Sequence, residues 1–294
     1  MPLAIQSTAS GYTQISAFFP NRRFFRQLKD CTMVHTLTMT LTFSLAFAIS
    51  PLLRADQGSA AQSNAGAQAE TKTGEWATTP DPDLPNVLIL GDSISIGYTL
   101  QVRDALTGKA NVYRPHSPDG RRPENCSGTT KGVADIGRWL KGPQWDVIHF
   151  NFGLHDLKHV READASQASN SMDDPRQAEP ETYRKNLTEI VEKLKATDAK
   201  LIYATTTGYP AGVSPARLPA DAKVYNEIAI EIMNANEIEI NDLYALCQDR
   251  LDELQLNKNV HFNAKGKAVQ AKRVARVIAR GLESREPAAP NASK

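Results

Sequence analysis

Ser93 stands in Gly91-Asp92-Ser93-Ile94-Ser95, directly after the apolar run Val87-Leu88-Ile89-Leu90 and before a stretch of helical spacing. A serine at such a strand-to-helix turn exposes its hydroxyl at the edge of a sheet. The backbone N–H beside it points out of a helix N-terminus, where negative charge is favoured. That placement suits a nucleophile, although the commoner task of a serine before a helix is to cap it, and Ser93 or Ser95 would serve. Three more polar segments hold complementary groups: Glu124-Asn125-Cys126-Ser127-Gly128-Thr129-Thr130, Asn151-Phe152-Gly153-Leu154-His155-Asp156 and Asn257-Lys258-Asn259-Val260-His261-Phe262. These three segments fall where the sheet would bring them together with Ser93, which tips the balance toward the nucleophile. A metallic reading also exists, because His155 and His159 are four apart and would share one face of a helix, as zinc ligands can. Against it, His155 follows a strand and a glycine, and no third ligand is evident.

The elements that must position these groups alternate. Short apolar runs at 87–90, 111–113, 146–151, 200–204 and 237–240 read as buried strands. Between them lie helical spacings: residues 94–106, then Leu187, Ile190, Val191 and Leu194, then Val224, Ile228 and Ile232. A last helix carries Val274, Ile278 and Leu282 on one face, with Lys272, Arg273, Arg276 and Arg280 as a solvated remainder. Strands separated by helices imply a mostly parallel sheet covered on both sides, with the ligand site beyond the carboxyl ends of its strands. The residues just after Leu90, Asn151 and Tyr203 are therefore the ones to suspect. The polar stretch 161–179 reads as a surface insertion near that rim.

The 294 residues carry 34 Lys+Arg against 33 Asp+Glu, a net charge of +1, which argues against a protein held to nucleic acid by phosphate neutralisation. Three cysteines are too few for a disulfide scaffold and are not spaced as a zinc site. Arg22, Arg23, Arg26 and Lys29 precede an uncharged run from Thr32 to Leu53, so residues 1–55 read as a leader with an export signal or a retained anchor. An anchor left uncut is the only membrane contact expected, and the domain behind it is expected outside the cytoplasm in the periplasm, envelope or extracellular space. Residues 56–83 read as a flexible tether, 84–284 as the folded domain and 285–294 as a loose tail.

The four segments, in this order, resemble the motif blocks of the SGNH, or GDSL-type, hydrolases, a family of serine esterases and acylhydrolases. The resemblance covers most of residues 86–282. It implies a flavodoxin-like three-layer α/β/α sandwich around a mostly parallel five-stranded sheet. It also implies Ser93 as nucleophile, His261 as base, and the N–H groups of Ser93 and Gly128 as oxyanion donors. His155 occupies the place of the family's oxyanion-binding asparagine; an imidazole N–H can donate there too, with a pH effect from two histidines. Asp92, Asn125, Gly153 and Asp156 fall in the blocks and are expected at the substrate. No metal or organic cofactor is implied.

The fourth block departs from the family pattern. The acid that usually holds the histidine would stand at 258, and this chain has Lys258. Asn257 or Asn259, a backbone carbonyl, or a carboxylate such as Asp252 or Glu253 can take over that task. The loss predicts a slow enzyme, with a glycan-binding relative without turnover as the alternative. The expected substrate is a small acyl ester, acetyl above all, on a carbohydrate or other polar alcohol, since a long lipid chain would want an apolar groove. Arg114, Arg121 and Arg122 crowd the loop before Gly128 and are candidates for contact with an anionic or sugar group, with surface solvation as their default. Cys126 and Cys247 either pair in an oxidising compartment or remain buried thiols. His149 reads as a core histidine, His159 as a loop or rim residue, and His116 as lining the cleft or holding a turn.

Overall fold

The computed structural model describes residues 74–285 except 118 and 164. The leader, most of the tether and all of the tail after Arg285 lie outside the described residues. No described helix is long and apolar enough to cross a membrane.

Five parallel strands form one sheet in the order β2-β1-β3-β4-β5: β1 (Asn86–Leu90), β2 (Asn111–Tyr113), β3 (Val147–Phe150), β4 (Lys200–Ala204) and β5 (Glu239–Asn241). All four pairings are parallel, and β1 and β3 are in register from Val87 opposite Val147 to Leu90 opposite Phe150. Burial on both faces explains the continuous apolar runs of β1 and β3. The flavodoxin-like expectation holds. β5 begins two residues later than the expected 237–240, because Glu237 takes a left-handed φ of 55° where α4 ends.

Helical crossovers join the parallel strands. The chain leaves β1 toward β2 through α1 (Ser93–Ala105) and doubles back to β3 through α2 (Thr129–Trp139). It continues through α3 (Pro180–Lys195) and α4 (Asp221–Ala235). Two short helices, α5 (Leu243–Cys247) and α6 (Leu251–Leu254), lead to α7 (Ala264–Glu283), which returns to pack on α1; α3 packs between α2 and α4. The strand order reverses between β1 and β3, so the loops after these two strands diverge at their carboxyl ends and leave a crevice.

The described residues of 161–179 contain no helix or strand, as expected of an insertion, yet they are tied down. Arg161 N donates to Gln167 O, Gln177 and Ala178 are buried, and Arg176 pairs with Asp221 at 2.7 Å. Cys126 and Cys247 are separate buried thiols, so the disulfide alternative is not realised. Trp139 and Trp145 are buried, the latter edge-on to Tyr113 at 5.4 Å.

His149 is fully enclosed on β3, with Nε2 accepting from Asn241 Nδ2 at 3.1 Å. Burial holds its pKa down at about 3. The native state therefore excludes a proton that the unfolded chain accepts below the ordinary imidazole pKa of about 6.5, so this site costs stability as pH falls from there toward 3. His149→Gln should reduce the slope of unfolding free energy against pH in that window by up to about 1.4 kcal/mol per pH unit. Urea unfolding of both proteins at several pH values measures this; parallel curves would refute it.

Candidate active site

Asp92 is the N-cap of α1: its Oδ1 accepts from Ile94 N at 2.8 Å. Ser95 Oγ donates to Asp92 O at 2.7 Å. With the cap supplied by its neighbour, Ser93 is released from that task and its Oγ lies 2.8 Å from His261 Nε2. The serine and the histidine are 168 residues apart in sequence. The packing of α7 on α1 brings them together, since α1 begins at Ser93 and α7 begins three residues after His261.

A compact turn aims the histidine. Asn259 N donates to Leu256 O, Leu256 N to His261 O at 2.9 Å, and Lys258 adopts a left-handed φ of 50°. Asn263 caps α7 through Gly266 N at 3.0 Å. The turn places Asn259 Oδ1 at 2.7 Å from His261 Nδ1 and 3.0 Å from His261 N. An amide oxygen can only accept, so Nδ1 carries the ring proton and Nε2 presents its lone pair to Ser93. Of the substitutes considered for the missing acid, Asn259 is the one in contact. Asn257 is exposed, Lys258 points to solvent, and Glu253 is engaged by Arg250 and Lys265. Burial lowers the His261 pKa; Arg217 and Lys267 add to that effect while Asp92 opposes it.

The second and third blocks lock onto one another. Thr129 N and Oγ1 both donate to Asp156 Oδ1, at 2.7 and 2.6 Å. Gly128 lies against the same carboxylate: a Cβ there would come within 2.9 Å of Asp156 Oδ1. Gly153 has φ 151°, and a Cβ on it would meet Thr206 Oγ1 at 2.2 Å. Both positions therefore require glycine. The N–H groups of Ser93 and Gly128 have no acceptor among the described residues. Asp156 is sealed, and burial pushes its pKa up to about 7 against the pull of the Thr129 bonds.

Several expected substrate contacts are supports instead. Asp92 and Asp156 are 2 % and 0 % exposed, and Gly153 is buried, so none presents a surface to a ligand. Asn125 Oδ1 accepts from Ser127 N at 2.8 Å and shapes the loop before Gly128. Arg114 is neither a surface residue nor a ligand contact. It is buried and donates to Gly91 O, Glu124 O, Ser95 Oγ and Thr99 Oγ1 at 2.9–3.2 Å, stitching the first block to the second. Arg121 and Arg122 are exposed, and His116 Nε2 lies 3.1 Å from Trp76 O.

His155 is half-buried, with Nδ1 3.1 Å from Ser127 Oγ. Burial, reinforced by Lys158, Arg217 and His261, lowers its pKa to about 3. It is neutral throughout the physiological range, which corrects the expectation of a pH effect from two histidines. His159 is buried rather than at the rim, its Nδ1 2.6 Å from Asp174 O. No group of three or more metal-capable side chains occurs among the described residues.

Beside Ser93 and His261 lies a cavity of about 330 Å³, bounded by Ile94, Ile96, Leu256 and Phe262 and flanked by Lys267. Its walls are more apolar than the polar rim of the sequence suggests.

Comparison with known proteins agrees with this architecture. No curated protein matches the chain. Among solved structures, a lipase/acylhydrolase from Enterococcus faecalis superposes with a TM-score of 0.54 at 20% identity, covering 69% of this chain and 99% of its own. The acetyl xylan esterase AlAXEase gives 0.51 at 16% identity, over 66% of this chain and 99% of its own. A catalytic mutant of an acetylxylan esterase from Geobacillus stearothermophilus gives 0.51 at 14%, over 66% and 94%. These likenesses establish the fold. Residues 89–269 match the GDSL-like lipase/acylhydrolase family, and the chain belongs to that family.

Proposed function

We propose that the protein is a serine esterase that cleaves a small acyl ester, acetyl above all, from a carbohydrate or other polar alcohol. The observation that carries the reading is the Ser93 Oγ to His261 Nε2 contact of 2.8 Å, continued by His261 Nδ1 to Asn259 Oδ1 at 2.7 Å. In this reading His261 takes the proton of Ser93 as Oγ attacks the ester carbonyl. The N–H groups of Ser93 and Gly128 and the Nε2–H of His155 then receive the oxyanion, with Ser127 Oγ–H donating to His155 Nδ1. His261 returns the proton to the departing alcohol. Water, activated by the same ring, releases the acyl group.

Asn259 sets the tautomer but offers no charge to the imidazolium that forms, which makes the reaction slower than one with a carboxylate in contact. The cavity beside Ser93 and His261 gives the acyl group a place next to the nucleophile. Acetylxylan esterases among the fold relatives favour an acetylated carbohydrate. An exported location remains the reading of the leader alone.

Hydrolysis of 4-nitrophenyl acetate should fall by at least about 10³-fold in Ser93→Ala. A glycan-binding relative would give no serine-dependent turnover at all. On a series from acetyl to longer aryl esters, kcat/KM should be highest for the shortest chains, and a preference for long chains would overturn the acetyl reading.

The depressed His261 pKa has a definite sign. The base acts when neutral, so activity should persist below the ordinary imidazole pKa of about 6.5 before falling in acid. Asn259→Asp should move the acid limb of the kcat/KM profile upward by about 1–3 pH units and raise kcat, while Asn259→Ala lowers kcat about ten- to a hundredfold. An unmoved acid limb in Asn259→Asp would refute the role given to Asn259.

A further inference from the structure

Gly97 and Lys267 both border the cavity beside Ser93, and neither takes a part in proton transfer or oxyanion binding. Gly97 lies inside α1, a position where glycine is disfavoured because it loses the most backbone freedom on folding. It stands four residues after Ser93, so the two share one face of the helix, ~6 Å or one turn apart. The α1 side of the cavity thus runs from the nucleophile, past Ile94 and Ile96, to a residue without a side chain.

Lys267 occupies the space that this glycine leaves. A Cβ on Gly97 would come within 3.3 Å of Lys267 Cε, with Cγ and Cδ at 3.6 and 3.7 Å, so the lysine stem lies along the bare backbone of α1. Lys267 is fixed in the first turn of α7, its N–H donating to Asn263 O at 3.0 Å. Its Nζ has no hydrogen-bond or ion-pair partner among the described residues and keeps contact with solvent, yet the residue is half-buried. The methylenes therefore rest on α1 while the head stays in water, as lysines do when the stem serves as apolar surface. Leu256, 47 % exposed, and Phe262 line the same cavity, and an apolar chain lying there covers both.

We propose that the stem of Lys267, laid over Gly97, closes the acyl cavity one helical turn from Ser93 and sets the length of the acyl chain that the enzyme accepts. This inference deepens the esterase reading and rests on it for the identity of the occupant. An acetyl group stays within that turn, whereas a longer chain runs onto the lysine methylenes. Lys267 is then a specificity-determining residue through its length rather than its charge.

The test measures kcat/KM for 4-nitrophenyl acetate and 4-nitrophenyl hexanoate. The hexanoate-to-acetate ratio should rise by about tenfold or more in Lys267→Ala, which removes the stem. In Lys267→Met, which keeps a stem and removes the charge, it should stay within about threefold of the wild type. The lysine's charge also acts on His261, but alike for both esters, so the ratio cancels that effect. An unchanged ratio in Lys267→Ala, or an equal rise in Lys267→Met, would overturn the wall. Should the wild type hydrolyse neither ester, the esterase reading fails by itself, and calorimetric binding of the hexanoate ester to the wild type and to Lys267→Ala decides the wall. Tighter binding once the stem is gone supports it; equal affinities would overturn it.

Discussion

The arrangement depends on a chain of two hydrogen bonds, Ser93 Oγ to His261 Nε2 and His261 Nδ1 to Asn259 Oδ1. An imidazole serves as a base toward a hydroxyl only if its proton is held on the other nitrogen, and a fixed acceptor on that side is what holds it. Here the acceptor is a neutral amide two residues away, carried by the same turn as the histidine. Orientation therefore comes from local backbone geometry rather than from an ion pair. The turn is held by the Leu256–His261 hydrogen bond and by the Asn263 cap of α7, and its distance from Ser93 is set by α7 packing on α1.

Much of this was legible in the sequence. The strands are buried on both faces, so their apolar runs are short and uninterrupted, and β2 and β4 fall at their expected positions. Helix α2 was less visible because Gly132 and Gly137 dilute its apolar face of Val133, Ile136 and Trp139. Gly132 is required there because a Cβ would meet Ile190 at 2.6 Å, a packing constraint that appears only once α3 is in place. Asn259 was one of several candidates that the sequence could not separate. The signal was its two-residue spacing from the histidine, but the left-handed Lys258 that folds the turn is not evident from the residue type.

Charge was the least legible property. Arg114 sits among polar loop residues and reads as solvated, whereas the fold buries it and gives it four acceptors. Arg217 carries no local motif and comes to the site through a hydrogen bond to a residue 63 positions away. Both depend on long-range closure of the loops, which no local pattern encodes. The same closure seals Asp92 and Asp156 beneath the site and lowers the basicity of His155. Carboxylates that looked like ligand contacts thus fix the loops, and burial disfavours the imidazolium at both His155 and His261.

Covalent trapping tests the central pairing most directly. Incubation with a fluorinated alkyl phosphonate, followed by digestion and mass spectrometry, should find the adduct on the peptide containing Ser93. Its formation rate should follow deprotonation of His261 and collapse in His261→Ala. An adduct absent from Ser93, or formed equally fast without the imidazole, would contradict the account.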